Sequence, residues 1–113
     1  MNAPVSSIRN LGPASDQAFA RAGITSAQNL RDLGADAAYE RLLRHGTRPH
    51  FIGYYALVMG LQGRPWNDCQ GDEKARLRAR FDTIRARARK ASADAPSAEL
   101  AEVLDRIGGR LAV

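Results

Sequence analysis

The residues best equipped for chemistry lie between Asp72 and Ala91. There Lys74, Arg76, Arg78, Arg80, Arg85, Arg87, Arg89 and Lys90 stand against only Asp72, Glu73 and Asp82. The rest of the chain carries nine basic and nine acidic residues, so this one segment holds the whole formal net charge of +5. Cationic groups gathered in this way are the electrostatic footprint of a polyanion binder, nucleic acid above all. The competing reading is a solvated, arginine-rich helix face. Sequence alone leaves both open.

Catalysis would require a nucleophile beside a base, paired carboxylates or a metal cluster. None is visible. His45 and His50 are separated by Gly46 and Pro49, share no helix face and have no cysteine or acid cluster beside them. They read as a helix-end cation and a cap or surface residue. Cys69 is the sole cysteine, so it forms no internal disulfide. No His or Lys adjoins it to lower its pKa, and it reads as an inert, half-buried thiol. A binding or regulatory module is therefore expected, with no enzymatic activity, cofactor, metal or small-molecule substrate.

Helices must position these residues, because glycine and proline divide the chain into short units of helical apolar spacing and no strand pattern survives. Pro13 suits a first helical position, Ala18, Phe19 and Ala22 turn inward, and Gly23 is a left-handed stop. Thr25 or Ser26 caps a second unit built on Leu30 and Leu33, which Gly34 ends. Asp36 is placed to cap a third, with Ala38, Tyr39, Leu42 and Leu43 as its stripe. From Pro49 to Gln62 the chain is apolar nearly all round, which marks the central helix. Gly53, Ala56 and Gly60 leave a bare strip along it, where a neighbouring helix is expected to cross closely.

Trp66, in the loop that follows, is expected to fold back as a lid on the core. Within the basic segment Leu77, Phe81, Ile84 and Ala88 make a narrow stripe facing the body, with arginines on the other faces. Ala91 to Ser97 reads as a hinge, and Leu100, Val103, Leu104 and Ile107 as the apolar face of a last helix. The domain division expected is thus 1–91, including the basic helix 72–91, followed by a hinge and tail at 92–113. At 113 residues the chain can build one modest core, and 44% hydrophobic against 26% charged content argues against overall disorder. The longest uncharged apolar run, Phe51 to Gly63, is far short of the ~20 residues that span a bilayer. A cytoplasmic protein with no membrane role is expected.

The run Ile8-Arg9-Asn10-Leu11-Gly12-Pro13, followed by Ser15 and later by Ala22-Gly23-Ile24-Thr25, resembles a helix-hairpin-helix element. In such elements, backbone amides at a helix N-terminus hold phosphate oxygens without reading bases. Gly12, Ala14 and Ser15 would supply those donors. The usual hairpin has two glycines flanking an apolar residue, whereas here Pro13 and Ala14 follow Gly12, and proline has no amide to donate.

Further residues make the likeness more specific: Leu30-Arg31-Asp32-Leu33-Gly34-Ala35, Ala38-Tyr39 with Leu42, Tyr55-Ala56-Leu57 with Gly60, and Gly63 with Trp66 and Glu73-Lys74. Together they resemble the C-terminal domain of TfoX/Sxy-type bacterial competence regulators over roughly Ile8 to Leu77. That resemblance implies a compact all-α domain of five or six helices, related to helix-hairpin-helix and SAM-like folds. It implies a regulatory role alongside the cyclic-AMP receptor protein at competence promoters, and no enzymatic activity. Two partner classes follow. One is a protein, of the transcription-factor class, docking on the C-terminal helices at Leu100, Val103, Leu104 and Ile107. The other is nucleic acid, bound without sequence preference by Arg76, Arg78, Arg80, Arg85, Arg87, Arg89 and Lys90, with Gly12, Ala14 and Ser15 helping.

Overall fold

The computed structural model describes residues 3–94, and among them there is no strand. A 3₁₀ turn at Val5–Ser7 precedes five α-helices: α1 (Pro13–Arg21), α2 (Ala27–Leu33), α3 (Ala35–Arg44), α4 (Phe51–Leu61) and α5 (Gly71–Asp94). A second 3₁₀ turn, Trp66–Asp68, links α4 to α5. The all-α expectation holds. α5 runs past Ala91 into the stretch read as a hinge. The tail positions Leu100, Val103, Leu104 and Ile107 lie outside the described residues.

Local chemistry explains where each helix starts. Pro13 occupies the first turn of α1, and Ser26 caps α2 by accepting from the Asn29 amide at 3.1 Å. Gly34 both ends α2 and begins α3 at φ 85°, a left-handed backbone that favours glycine. Asp36, expected as the α3 cap, therefore sits inside the first turn, and its carboxylate is used elsewhere. His50 caps α4 through Nδ1, which accepts from the Gly53 amide at 3.3 Å.

α4 carries the core. Tyr54, Leu57 and Met59 are at most 1% exposed, and Tyr39, Leu77, Phe81 and Ile84 close round them from α3 and α5. Tyr39 and Tyr54 meet edge to face with ring centroids 5.3 Å apart, and Phe51 lies 5.4 Å from Phe81. Such aromatic pairs add about 1 kcal/mol each beyond simple burial. The Tyr39 hydroxyl accepts from the His50 amide at 2.9 Å and donates to the His50 carbonyl at 3.2 Å, pinning α3 to the start of α4.

Three expectations are corrected. The close approach on α4 involves only Gly60, and its neighbour is the turn at Ile8 and Arg9, not a helix: a Cβ there would lie 2.1 Å from the Arg9 carbonyl oxygen. A Cβ on Gly53 would meet nothing closer than the His50 Cβ at 3.8 Å. Trp66 does not cap the core, since it is 48% exposed. Cys69 fills part of that role and is fully buried.

Candidate functional site

The basic helix is tied to the body on both flanks of its apolar stripe. On one flank, Arg80 donates to both carboxylate oxygens of Asp36 at 3.0 and 2.9 Å, and Arg87 donates to Glu40 at 3.1 Å. On the other, Lys74 lies over the Tyr55 ring at 5.5 Å, Arg78 over Phe51 at 5.1 Å, and Arg85 over Phe81 at 5.3 Å. Asp82 forms ion pairs with Arg78 at 3.3 Å and Arg85 at 3.7 Å. Four of the eight cations, Lys74, Arg78, Arg80 and Arg87, therefore fasten α5 to α3 and α4, whereas Arg85 faces Phe81 and Asp82 of its own helix. Of the residues read as phosphate contacts, Arg76, Arg89 and Lys90 have neither an acid nor a ring partner among the described residues.

Electrostatics at this seam follow from burial and pairing. Burial pushes the Asp36 carboxyl upward, but hydrogen bonds from Arg80 and Tyr54 and the charges of Arg80 and Arg87 outweigh it and hold it below the ordinary carboxylate range. The same pair raises Arg80 above its usual value, chiefly through the hydrogen bond to Asp36. Burial, reinforced by Asp36, drives the Tyr54 phenol well above its ordinary value. Tyr54 thus stays protonated and donates to Asp36.

The hairpin before α1 is also largely committed. The left-handed residue is Asn10 at φ 74°, whereas Gly12 is extended at φ −102°, ψ 179°. Asn10, Leu11 and Gly12 thus reproduce the two-glycine layout, with asparagine in the first glycine's place. Asn10 Nδ2 donates to the carbonyls of Ala56 at 3.1 Å and Arg64 at 2.9 Å, which ties the turn to the middle of α4 and to the loop just past its end. Of the first three α1 positions, Pro13 has no amide and the Ser15 amide donates to the Gly12 carbonyl at 2.9 Å. Asp16 stands in that same first turn, accepting from the Ser6 amide at 2.8 Å and hydroxyl at 2.7 Å. A carboxylate beside the one remaining amide, that of Ala14, opposes a phosphate there.

Ala14 and Ser15 contribute to something else. They line an open groove of about 300 Å³ between α1, α4 and the loop after α3, together with Leu11, Ala18, Ala56 and Arg48. Gly53 and Ala56 form its floor, so the bare strip read from sequence is a surface recess and not a helix contact. Ile52, a turn before Ala56 on the same outward side of α4, is 48% exposed. Sequence reasoning missed this groove. The clue was the strip itself, whose covering cannot be read without knowing which neighbour lies over it.

Among the described residues no group of three or more His, Cys, Asp or Glu could hold a metal, and no helix is long and apolar enough to cross a membrane. Burial, with the charge of Glu73 next in size, raises the Cys69 thiol above its ordinary pKa. It is protonated and sequestered, the opposite of a reactive cysteine.

Comparison with known proteins supplies the family. The TfoX C-terminal domain matches residues 1–81, most of the 113-residue chain and all of it through the Phe81 core position. The chain belongs to the TfoX C-terminal domain family. This is a regulatory-type domain family. Neither a curated protein nor a solved structure matches the chain. The family match covers the Asn10 turn, the α1–α4 groove and the Asp36–Arg80 pair; it ends within α5, before Arg85, Arg87, Arg89 and Lys90.

Proposed function

We propose that this TfoX C-terminal domain is a non-enzymatic regulatory module that acts by holding a protein partner in the groove between α1 and α4. The observation that carries this reading is the open, largely apolar recess floored by Gly53 and Ala56, with exposed Ile52 at its side and Arg48 on its wall. Small residues on a helix let another backbone approach closely, and apolar surface left open beside a cation suits an amphipathic helix with an acidic flank. Family membership supports a regulatory role, and a transcription factor acting in the bacterial cytoplasm is the partner class that a competence-type regulator would meet.

The phosphate-binding reading of the whole basic helix receives less support, because Arg80 and Arg87 answer α3 carboxylates and Arg78 and Arg85 lie on aromatic rings. A calorimetric titration of the full chain with purified cyclic-AMP receptor protein tests the proposal, using Gly53→Leu to fill the groove. A Cβ at Gly53 meets only the His50 Cβ at an ordinary contact distance of 3.8 Å, so circular dichroism checks that the longer leucine leaves the fold intact. Measurable wild-type binding that falls at least tenfold in Gly53→Leu is the expected result. No wild-type binding, or equal binding by the variant, overturns this reading.

A further inference from the structure

The cations that α5 does not use against α4 converge with those of α3 at one end of the molecule. Glu40 on α3 is held from its own helix by Arg44 and from α5 by Arg87. Arg41 and Arg44 line the same hollow as Glu40. One step along, a recess of about 250 Å³ seats Arg85, Ala88 and Arg89 against Leu43, Thr47 and Pro49, so the loop bearing Arg48 adjoins the last turns of α5. Lys90 follows directly.

The charge at this end is unbalanced. Among the described side chains, seven cations (three on α3 and its loop, four on α5) have two carboxylate partners, Glu40 and Asp82, and Asp82 is shared with Arg78. All but Arg85 are exposed. Six of the seven are arginines, whose planar forks match phosphate oxygens better than a lysine's point charge does.

Among the described residues, this end offers a base no Phe, Tyr or Trp face, and the only ring beside its arginines is the small imidazole of His45. Phe51 and Phe81 are already covered by Arg78 and Arg85. Trp66 lines a recess with Tyr55, Cys69 and Lys74 at the other end of α5, where Lys74 lies about 22 Å from Arg89 along the helix. Contacts without stacking are contacts to backbone phosphates, indifferent to sequence and suited to a duplex rather than a single strand.

We propose that the end formed by Arg41 and Arg48 with Arg89 and Lys90, flanked by the Glu40-paired Arg44 and Arg87, binds the phosphate backbone of a nucleic-acid duplex. This inference does not rest on the groove or its partner, although Arg48 lines both surfaces. It also differs from a reading of the whole basic helix as the contact, since it excludes Arg76, about 20 Å from Arg89 along α5.

Fluorescence anisotropy of labelled DNA and RNA duplexes, titrated with the full chain between about 50 and 200 mM salt, tests it. Four or five phosphate contacts give a slope of log K against log salt near −4 (about −0.9 per contact). Arg48→Ala and Arg89→Ala each flatten that slope by about one unit and weaken low-salt binding several-fold, while Arg76→Ala changes neither. Because these side chains are exposed, all three variants keep the wild-type circular dichroism. Binding of either duplex with this pattern supports the proposal, and the tighter one identifies the source of the backbone. No complex at low salt, a flat salt dependence, Arg76→Ala as damaging as Arg89→Ala, or polyglutamate bound as tightly as duplex overturns it.

Discussion

Two glycines on one helix illustrate how much a single hydrogen atom decides. At Gly60 the Arg9 carbonyl occupies the space a methyl group would need, with Ile8 Cγ2 also 3.3 Å away. Backbone cannot yield there as a flexible side chain would. Gly60→Ala is expected to cost about 3 kcal/mol, the upper range for forced overpacking, read as a lower urea midpoint. Gly53→Ala meets only the His50 Cβ at 3.8 Å, so its gain in helix propensity prevails and it stabilises the fold by about 0.5–1 kcal/mol. Cys69, buried and with its thiol raised above its ordinary pKa, should resist iodoacetamide in the native protein and react promptly in denaturant. Rapid native labelling would contradict that placement.

At the scale of elements, the seam between α3 and α5 is held partly by charge, and its pH dependence follows. The Asp36 carboxyl lies below its unfolded value, near 3.9, so its contribution to stability is fully present above that value. It is lost as pH falls through the folded value. Denaturation midpoints measured from about pH 6 down to pH 2 should therefore fall more steeply for wild type than for Asp36→Asn. Parallel curves would show that the Arg80–Asp36 pair adds nothing. The Arg64 seam behaves differently in kind: its guanidinium joins Glu73 at 2.8 Å and Asp68 at 2.7 Å on the surface, where water and salt screen the attraction.

Across the whole molecule, the two surfaces meet at Arg48. It lines the α1–α4 groove and belongs to the cationic end. Arg48→Ala should weaken both the protein partner and the duplex, whereas Gly53→Leu affects only the former and Arg89→Ala only the latter. A saturating protein partner is expected to lower duplex affinity a few-fold, and by linkage the duplex lowers partner affinity by the same factor. Competition anisotropy reads this coupling directly. Complete independence of the two titrations would mean that Arg48 serves neither or only one.

Local chemistry in the sequence already determined the helical units, the central place of the Phe51–Leu61 helix and the inward stripe of Leu77, Phe81, Ile84 and Ala88, because periodicity, Pro13, Ser26 and Gly34 act within a few residues of themselves. It also marked Gly53, Ala56 and Gly60 as unusual. What it could not determine was which neighbour each side chain meets. Asp36 and Arg80 are 44 residues apart, and Glu40 and Arg87 are 47 apart. Only chain reversal between α3 and α5 turns those arginines from free charges into fasteners. The same reversal brings Arg89 against Thr47 and Pro49, which flank Arg48, while the turn at Ile8 and Arg9 closes the Gly60 side of α4 and leaves the Gly53 side open. Coulomb attraction and steric exclusion depend on distance in space, and that is set by how the helices pack.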